Sequence, residues 1–194
     1  PGACPNEWTI TRRWKATDVC GNVDSCDQVI TVQDTTKPTF TVPGDTTLYR
    51  DATCTIDTTT ADIGDVTDEA DNCATGLQAT YVDNVAGLAG CNGTGTFTRT
   101  WTLTDSCGNA TIKVQTVTVL DTLKPTFTVP NDTTLYRDAS CSIDTLTTDI
   151  GDVTDEADNC SSGLDATYVD NVAGLSGCNS TGSFTRTWTL VDDC

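Results

Sequence analysis

Residues 38 to 107 begin PTFTVPGDTTLYRDATC, and residues 125 to 194 begin PTFTVPNDTTLYRDASC. The offset is 87 residues throughout, without a gap, and about 57 of the 70 aligned positions are identical. An internal period of this size limits the fold more than any other feature, because each copy must be a supersecondary unit that its neighbours help to bury. The N-terminal stretch belongs to the same series. Cys4, Trp14, Asp18, Cys20, Gly21 and Asn22 fall on Cys91, Trp101, Asp105, Cys107, Gly108 and Asn109, and Asp34, Lys37 and Pro38 fall on Asp121, Lys124 and Pro125. The chain therefore divides into residues 1–37, the C-terminal part of one copy; 38–124, a complete copy; and 125–194, a copy without its last strand. The expected context is a longer chain carrying more copies. An alternative is a second molecule lending its Val23–Val32 strand to close the last copy.

The local pattern is that of strands. Phe97, Arg99, Trp101 and Leu103 alternate with Thr98, Thr100, Thr102 and Thr104, a period of two. Ile112 to Leu120 and Leu77 to Val82 are further β-rich runs. Pro43-Gly44, Gly93 to Gly95 and Cys107-Gly108-Asn109 are turn signals. No segment carries a 3.6-residue apolar stripe. Thr makes up about a fifth of the chain, which suits half-exposed pleated surfaces. The expected fold is all-β: tandem antiparallel sandwiches of the immunoglobulin type, about seven short strands per 87 residues.

Composition removes whole classes of function. There are 10 basic and 28 acidic residues, a net charge of -18, no His and 11 Cys. Without His there is no Ser-His-Asp machinery and no ordinary His-containing zinc site. Such a charge repels phosphate backbones, so nucleic acid is not an expected partner. Paired carboxylates, as in the run from Asp62 to Asp71, can cleave glycosides, but nothing in the pattern marks a buried acid, and the chain is not expected to be an enzyme. Eleven Cys without a CxxC pair indicate disulfides and an oxidising, extracellular location. No run of 18 apolar residues is present to span a membrane.

The pattern Arg-x-Trp-x-x-Thr-Asp-x-Cys-Gly-Asn, followed by a β-run ending Val-x-Asp-x-x-x-Pro, resembles the hyalin-repeat (HYR-like) domains. The four-cysteine version found in surface adhesins and extracellular filaments of Bacteroidota is the nearer match. The resemblance covers essentially the whole chain. It implies a structural repeat in the shaft of a secreted cell-surface adhesin or filament, with further copies as partners and lateral or end-to-end self-assembly. The alternative is a module that binds glycan or protein. Trp101 is expected in the core rather than on a glycan platform, with Arg99 and Arg186 stacked on their Trp edges.

An immunoglobulin-like strand order places Cys54 and Cys91 at one end of the sandwich and Cys73 and Cys107 at the other. The expected pairs are Cys54–Cys91 and Cys73–Cys107, repeated as Cys141–Cys178 and Cys160–Cys194. Cys4 and Cys20 need partners upstream by register. Cys26 aligns with Lys113 and has none in the later copies; a local Cys20–Cys26 bridge is the alternative to an upstream partner. Six Asp-Thr dipeptides match the O-glycosylation signal of Bacteroidota, marking Thr35, Thr46, Thr58, Thr122, Thr133 and Thr145 as candidate glycan sites.

Each copy also has an acidic loop. With the preceding linker, whose Val32-x-Asp34-x-x-x-Pro38 is similar to the linkers of cadherin-like repeats, it offers Asp34, Asp68, Glu69, Asp71 and Asp105 to one ion. Asp121, Asp155, Glu156, Asp158 and Asp192 are the second set. Hard oxygen ligands in loops suit Ca2+. The alternative is a solvated acidic surface that maintains solubility.

Overall fold

The computed structural model describes Cys4 and residues 7–194; the opening residues of the 1–37 segment otherwise lie outside the described residues. The chain is mostly β-strand. It forms two compact units: Pro1–Thr47 with Thr58–Gly87 and Thr96–Thr118, and Leu48–Asp57 with Leu88–Gly95 and Val119–Cys194. These boundaries cut across the 87-residue copies. The second unit takes two loops from the 38–124 copy and packs them with the copy that follows.

In the first unit, β1 (Trp8–Thr17) and β2 (Val23–Val32) form a long antiparallel hairpin, with Trp14 opposite Cys26. Two short strands, β3 (Thr39–Thr41) and β5 (Thr67–Ala70), pair antiparallel through an irregular register. The largest sheet has the order β4-β8-β7-β6, built from β4 (Thr46–Tyr49), β6 (Thr80–Asn84), β7 (Gly95–Thr104) and β8 (Ala110–Leu120). A single helical turn, α1 (Thr60–Ile63), ends at Gly64. Gly64 has φ +95°, and a Cβ there would lie 2.9 Å from the Pro43 Cβ, so both conformation and space require glycine.

The second unit repeats the short elements at the 87-residue offset. Here β9 (Thr126–Thr128) pairs with β10 (Thr154–Ala157), β11 (Thr167–Asn171) pairs with β12 (Thr185–Thr189), and α2 (Thr147–Ile150) is the counterpart of α1.

The alternation expected along β7 is present. Phe97, Arg99, Trp101 and Leu103 are all buried, while their threonine neighbours are not. Trp101 and Leu103 pack with Phe40, flanked by Val42, Val66, Leu77 and Ala79. On β8, Gln115, Val117 and Val119 turn inward. A polar side chain at that depth needs partners. Gln115 accepts from Trp101 Nε1 at 3.2 Å and donates Nε2 to the Gly44 and Ile63 carbonyls at 2.9 and 3.0 Å.

Among the described residues, Arg99 is the one charged side chain placed fully inside. It forms a two-point bond with Asp83 at 2.7 and 2.8 Å, donates to the Thr58 carbonyl, and lies 3.8 Å from the Tyr81 ring centroid. Its Trp101 contact is longer, at 5.6 Å. Arg186 repeats the arrangement with Asp170, Thr145, Tyr168 and Trp188. In the β1–β2 hairpin the counterpart Arg12 lies over Trp14, but both are exposed.

Breaking a buried ion pair leaves an uncompensated charge and costs roughly 3–5 kcal/mol. Arg99→Ala is therefore expected to lower unfolding stability by about 3 kcal/mol or more. Arg12→Ala, on an exposed face, is expected to change it by about 0.5 kcal/mol or less. Urea titration of the oxidised chain measures both.

Candidate functional site

Two features concentrate chemistry in this chain: three disulfides and a cluster of aspartates. The disulfides join Cys4 to Cys107, Cys54 to Cys160 and Cys91 to Cys194, with Cα separations of 4.6, 4.9 and 5.4 Å. Each links a cysteine of one copy to a cysteine of the next, 103 or 106 residues along.

The expected pairs within a copy, Cys54–Cys91, Cys73–Cys107, Cys141–Cys178 and Cys160–Cys194, are replaced by these. The reason lies in where the loops go. Cys54 and Cys91 do sit close, since Arg50 donates Nη1 to the Cys54 carbonyl at 2.6 Å and Nη2 to the Gly93 carbonyl at 2.8 Å. However, both loops fold into the second compact unit, where each meets its own cysteine from the following copy. Asn92 Nδ2 reaches Ser161 Oγ at 2.9 Å beside the Cys91–Cys194 bond, and Asn159 Nδ2 reaches the Asp51 carbonyl at 3.0 Å beside the Cys54–Cys160 bond. Cys107 is likewise taken by Cys4 and is not joined to Cys73. Cys20, Cys26, Cys141 and Cys178 are exposed thiols, so no Cys20–Cys26 bridge forms. Cys73 is also outside the disulfides; burial, followed by the charge of Asp34, pushes its thiol pKa up.

The turn that carries Cys54 is built by Asp51. Its Oδ1 accepts the Thr53 and Thr55 amides at 2.8 and 2.9 Å, and Oδ2 accepts the Thr55 hydroxyl at 2.7 Å. Cys54 then takes a left-handed conformation with φ 61° at the tip.

The aspartate cluster consists of Asp34, Asp71 and Asp105, each offering an oxygen within 4.8 Å of the others. Asp34 and Asp105 are buried and Asp71 is half-buried. The linker after β2 supplies Asp34, the loop after β5 supplies Asp71, and the β7–β8 turn supplies Asp105. Asp105 is held by Cys107 N, Asn109 N and Asn109 Nδ2, each at 2.8 Å. Burial alone raises its pKa, but these donors outweigh burial and hold the carboxyl below its ordinary value. Asn109 Nδ2 also bonds the Asp34 carbonyl at 3.1 Å, tying linker to turn.

Asp71 Oδ2 accepts the Cys73 and Ala74 amides. That leaves Asp71 Oδ1 and Asp34 Oδ2, two buried carboxylate oxygens without a hydrogen-bond donor. The same two atoms recur without a donor 87 residues later, as Asp158 Oδ1 and Asp121 Oδ2. Buried anionic oxygens without donors are costly unless a cation sits against them.

Asp68 and Glu69 are not in the cluster, and among the described residues the second expected set, Asp121, Asp155, Glu156, Asp158 and Asp192, is not gathered into one. Asp68 accepts from the Thr41 hydroxyl, and Glu69 Oε1 accepts the Ala79 amide; both carboxylates are engaged in fastening β5 to its neighbours. Asp155 and Glu156 do the same with Thr128 and Ala166. Asp192 accepts the Cys194 amide, as Asp105 accepts that of Cys107.

Of the candidate glycan positions, Thr35, Thr122 and Thr133 are exposed, and Thr46, Thr58 and Thr145 are half-buried. Thr58 and Thr145 also lend their carbonyls to Arg99 and Arg186.

Asn109 lies in the Cys107-Gly108-Asn109 turn that the sequence marks, whereas Arg50 has no individual signal beyond its recurrence as Arg137 at the 87-residue offset. No protein-family model matches the chain, and no curated protein matches it. Among the described residues, no helix is long and apolar enough to cross a membrane. Three disulfides suit an oxidising, extracellular environment.

The carboxylates of Asp18, Asp105, Asp138, Asp158 and Asp170 all lie below their ordinary pKa. For Asp170 the main cause is the Arg186 guanidinium; for Asp158 it is the Cys160 and Ser161 amides. A group whose folded pKa is depressed contributes stability above its unfolded value, about 3.9, and loses it as pH falls through the folded value. With no His to titrate between pH 5 and 7, the melting temperature is expected to be flat over that range and to fall below about pH 4. Calorimetry of the oxidised chain across pH 2–8 measures this.

Proposed function

We propose that the chain is part of the shaft of a secreted adhesin or extracellular filament, a run of immunoglobulin-like sandwiches whose role is to bear load and set distance. The observation that carries this reading is the covalent path through the disulfides. From Cys4 the path crosses to Cys107, runs back along the chain to Cys91, and crosses to Cys194. Tension applied between Cys4 and Cys194 therefore passes through residues 91–107 alone, a stretch that contains the buried strand β7. The remainder of the chain is shielded from extension. A catalytic or transiently binding domain gains nothing from such wiring, whereas a tether that must not unravel does.

The hyalin-repeat resemblance and the period of 87 residues support the same reading, with further copies as the partners. Exposed Thr35, Thr122 and Thr133 are the positions best suited to carry glycans. Calcium is the cation proposed for Asp34, Asp71 and Asp105. Calcium–oxygen distances of about 2.3–2.6 Å place oxygens on opposite sides of one ion nearly 5 Å apart, which suits the 4.8 Å span of the cluster. The ion would neutralise the donor-less oxygens of Asp34 and Asp71 and fix the linker to the β7–β8 turn. Asp121 and Asp158 are the corresponding pair in the second unit.

Single-molecule stretching of the chain between handles at its ends tests the load path. At about 3.3–3.6 Å per residue, the oxidised chain is expected to lengthen between Cys4 and Cys194 by no more than about 60 Å. The reduced chain should reach roughly 600 Å or more. Equal contour lengths would refute the load-bearing reading. Calcium is tested separately. Millimolar calcium is expected to raise the melting temperature by several degrees, and Asp34→Asn with Asp71→Asn should abolish the rise.

A further inference from the structure

We propose that Cys141 and Cys178 are the donor halves of two more inter-copy disulfides, and that their partner is a further 87-residue copy presenting the counterparts of Cys160 and Cys194. This rests on reading the chain as a run of copies and specifies how one copy is coupled to the next.

The argument is one of register. Cys54 bonds Cys160, and Cys91 bonds Cys194. Shifted by 87 residues, the donor cysteines of those two bonds become Cys141 and Cys178, and both are exposed thiols. The Cys4–Cys107 bond is the Cys91–Cys194 bond shifted by the same 87 residues in the other direction, so one bond type already occurs twice.

The thiols also sit on the same turns as their disulfide-bonded counterparts. Cys141 has φ 64° where Cys54 has 61°. Asp138 accepts the Ser140 and Ser142 amides as Asp51 accepts those of Thr53 and Thr55. Arg137 spans the two turns, donating to the Cys141 and Ser180 carbonyls at 2.5 and 2.8 Å, as Arg50 does to Cys54 and Gly93. Asn179, with φ 55°, stands where Asn92, with φ 50°, donates to Ser161 beside a disulfide. The turns therefore have their bonded geometry before any partner arrives. Turns shaped this way for a disulfide to another copy, at two places in one copy, fit a docking face for that copy.

Each bond forms by exchange with a small-molecule disulfide. Two thiols and one oxidant disulfide give one protein disulfide and two small thiols, so the protein sulfurs are oxidised and the oxidant is reduced. A copy within the same polypeptide and a copy in a second chain offer the same chemistry.

The test extends the chain beyond Cys194 by a duplicate of residues 108–194, which continues the period without a break. Both the extended and the 194-residue chain are oxidised in a glutathione redox buffer, alkylated and mapped without reduction. In the extended chain, Cys141 is expected on the duplicate of Cys160 and Cys178 on the duplicate of Cys194, with neither alkylated. In the 194-residue chain, both are expected to be alkylated when the partner must be in the same polypeptide. Disulfide-linked multimers, lost on replacing Cys141 and Cys178 by Ser, would instead place the partner in a second chain.

A Cys141–Cys178 bond would overturn the proposal, as would continued alkylation of both in an extended chain that has folded by circular dichroism. Small-angle scattering reads the shaft proposal independently. Added length per copy without the new disulfides would retain the shaft and reject the coupling.

Discussion

The disulfides that run from one copy to the next are the constraint on which the rest of this structure depends. Among the described residues, one cluster of the hydrophobic core is Phe40, Trp101 and Leu103 with four partly buried neighbours, and Ile63, Phe97, Val117 and Val119 are buried besides. Closing loops of 103 to 106 residues removes a large part of the freedom of the unfolded chain, about 4–5 kcal/mol per bond in the chain-entropy account. Because the loops overlap, these contributions do not simply add. Overlap has a second effect: no stretch between Cys4 and Cys194 outside residues 91–107 lies on the shortest covalent path. The bonds that restrict the unfolded chain are thus the same ones that define the shortest covalent path.

Strand β7 lies on that path and is also the most buried strand. Trp101 fills the core, and its indole N–H is satisfied by Gln115. Arg99 occupies an inward position that an aliphatic residue would ordinarily take. It is tolerated there because Asp83 neutralises it in a two-point bond, the Thr58 carbonyl accepts a further hydrogen bond, and the Tyr81 face covers it. All four contacts recur around Arg186, which is half-buried.

The acidic surface is handled in two ways. Most aspartates are tied to backbone amides in tight turns, as Asp18, Asp51 and Asp138 are, and those turns set the loops that present cysteines. A smaller group, Asp34, Asp71 and Asp105, is gathered into one place with two oxygens left without donors. The first arrangement is complete without a ligand. The second leaves two buried carboxylate oxygens without donors.

The sequence by itself determined the strands and their faces. Alternation along residues 97–104 is a local property, since successive strand residues must point to opposite sides, and it identified the buried set of β7 correctly. The 87-residue period, the excess of acid and the use of cysteine for cross-linking were equally legible. Partner choice was not. Cys54 lies near Cys91, as expected, yet its bond goes to Cys160, because which sulfur arrives within bonding distance depends on how loops of one copy pack with the next. The acidic cluster is smaller than the expected set for the same reason. Asp68 and Glu69 are adjacent to Asp71 in sequence, but β5 turns their carboxylates toward Thr41 and Ala79, while Asp34 and Asp105, dozens of residues away, come to share its position. Local patterning sets which way a side chain faces; only the packed chain decides what it meets.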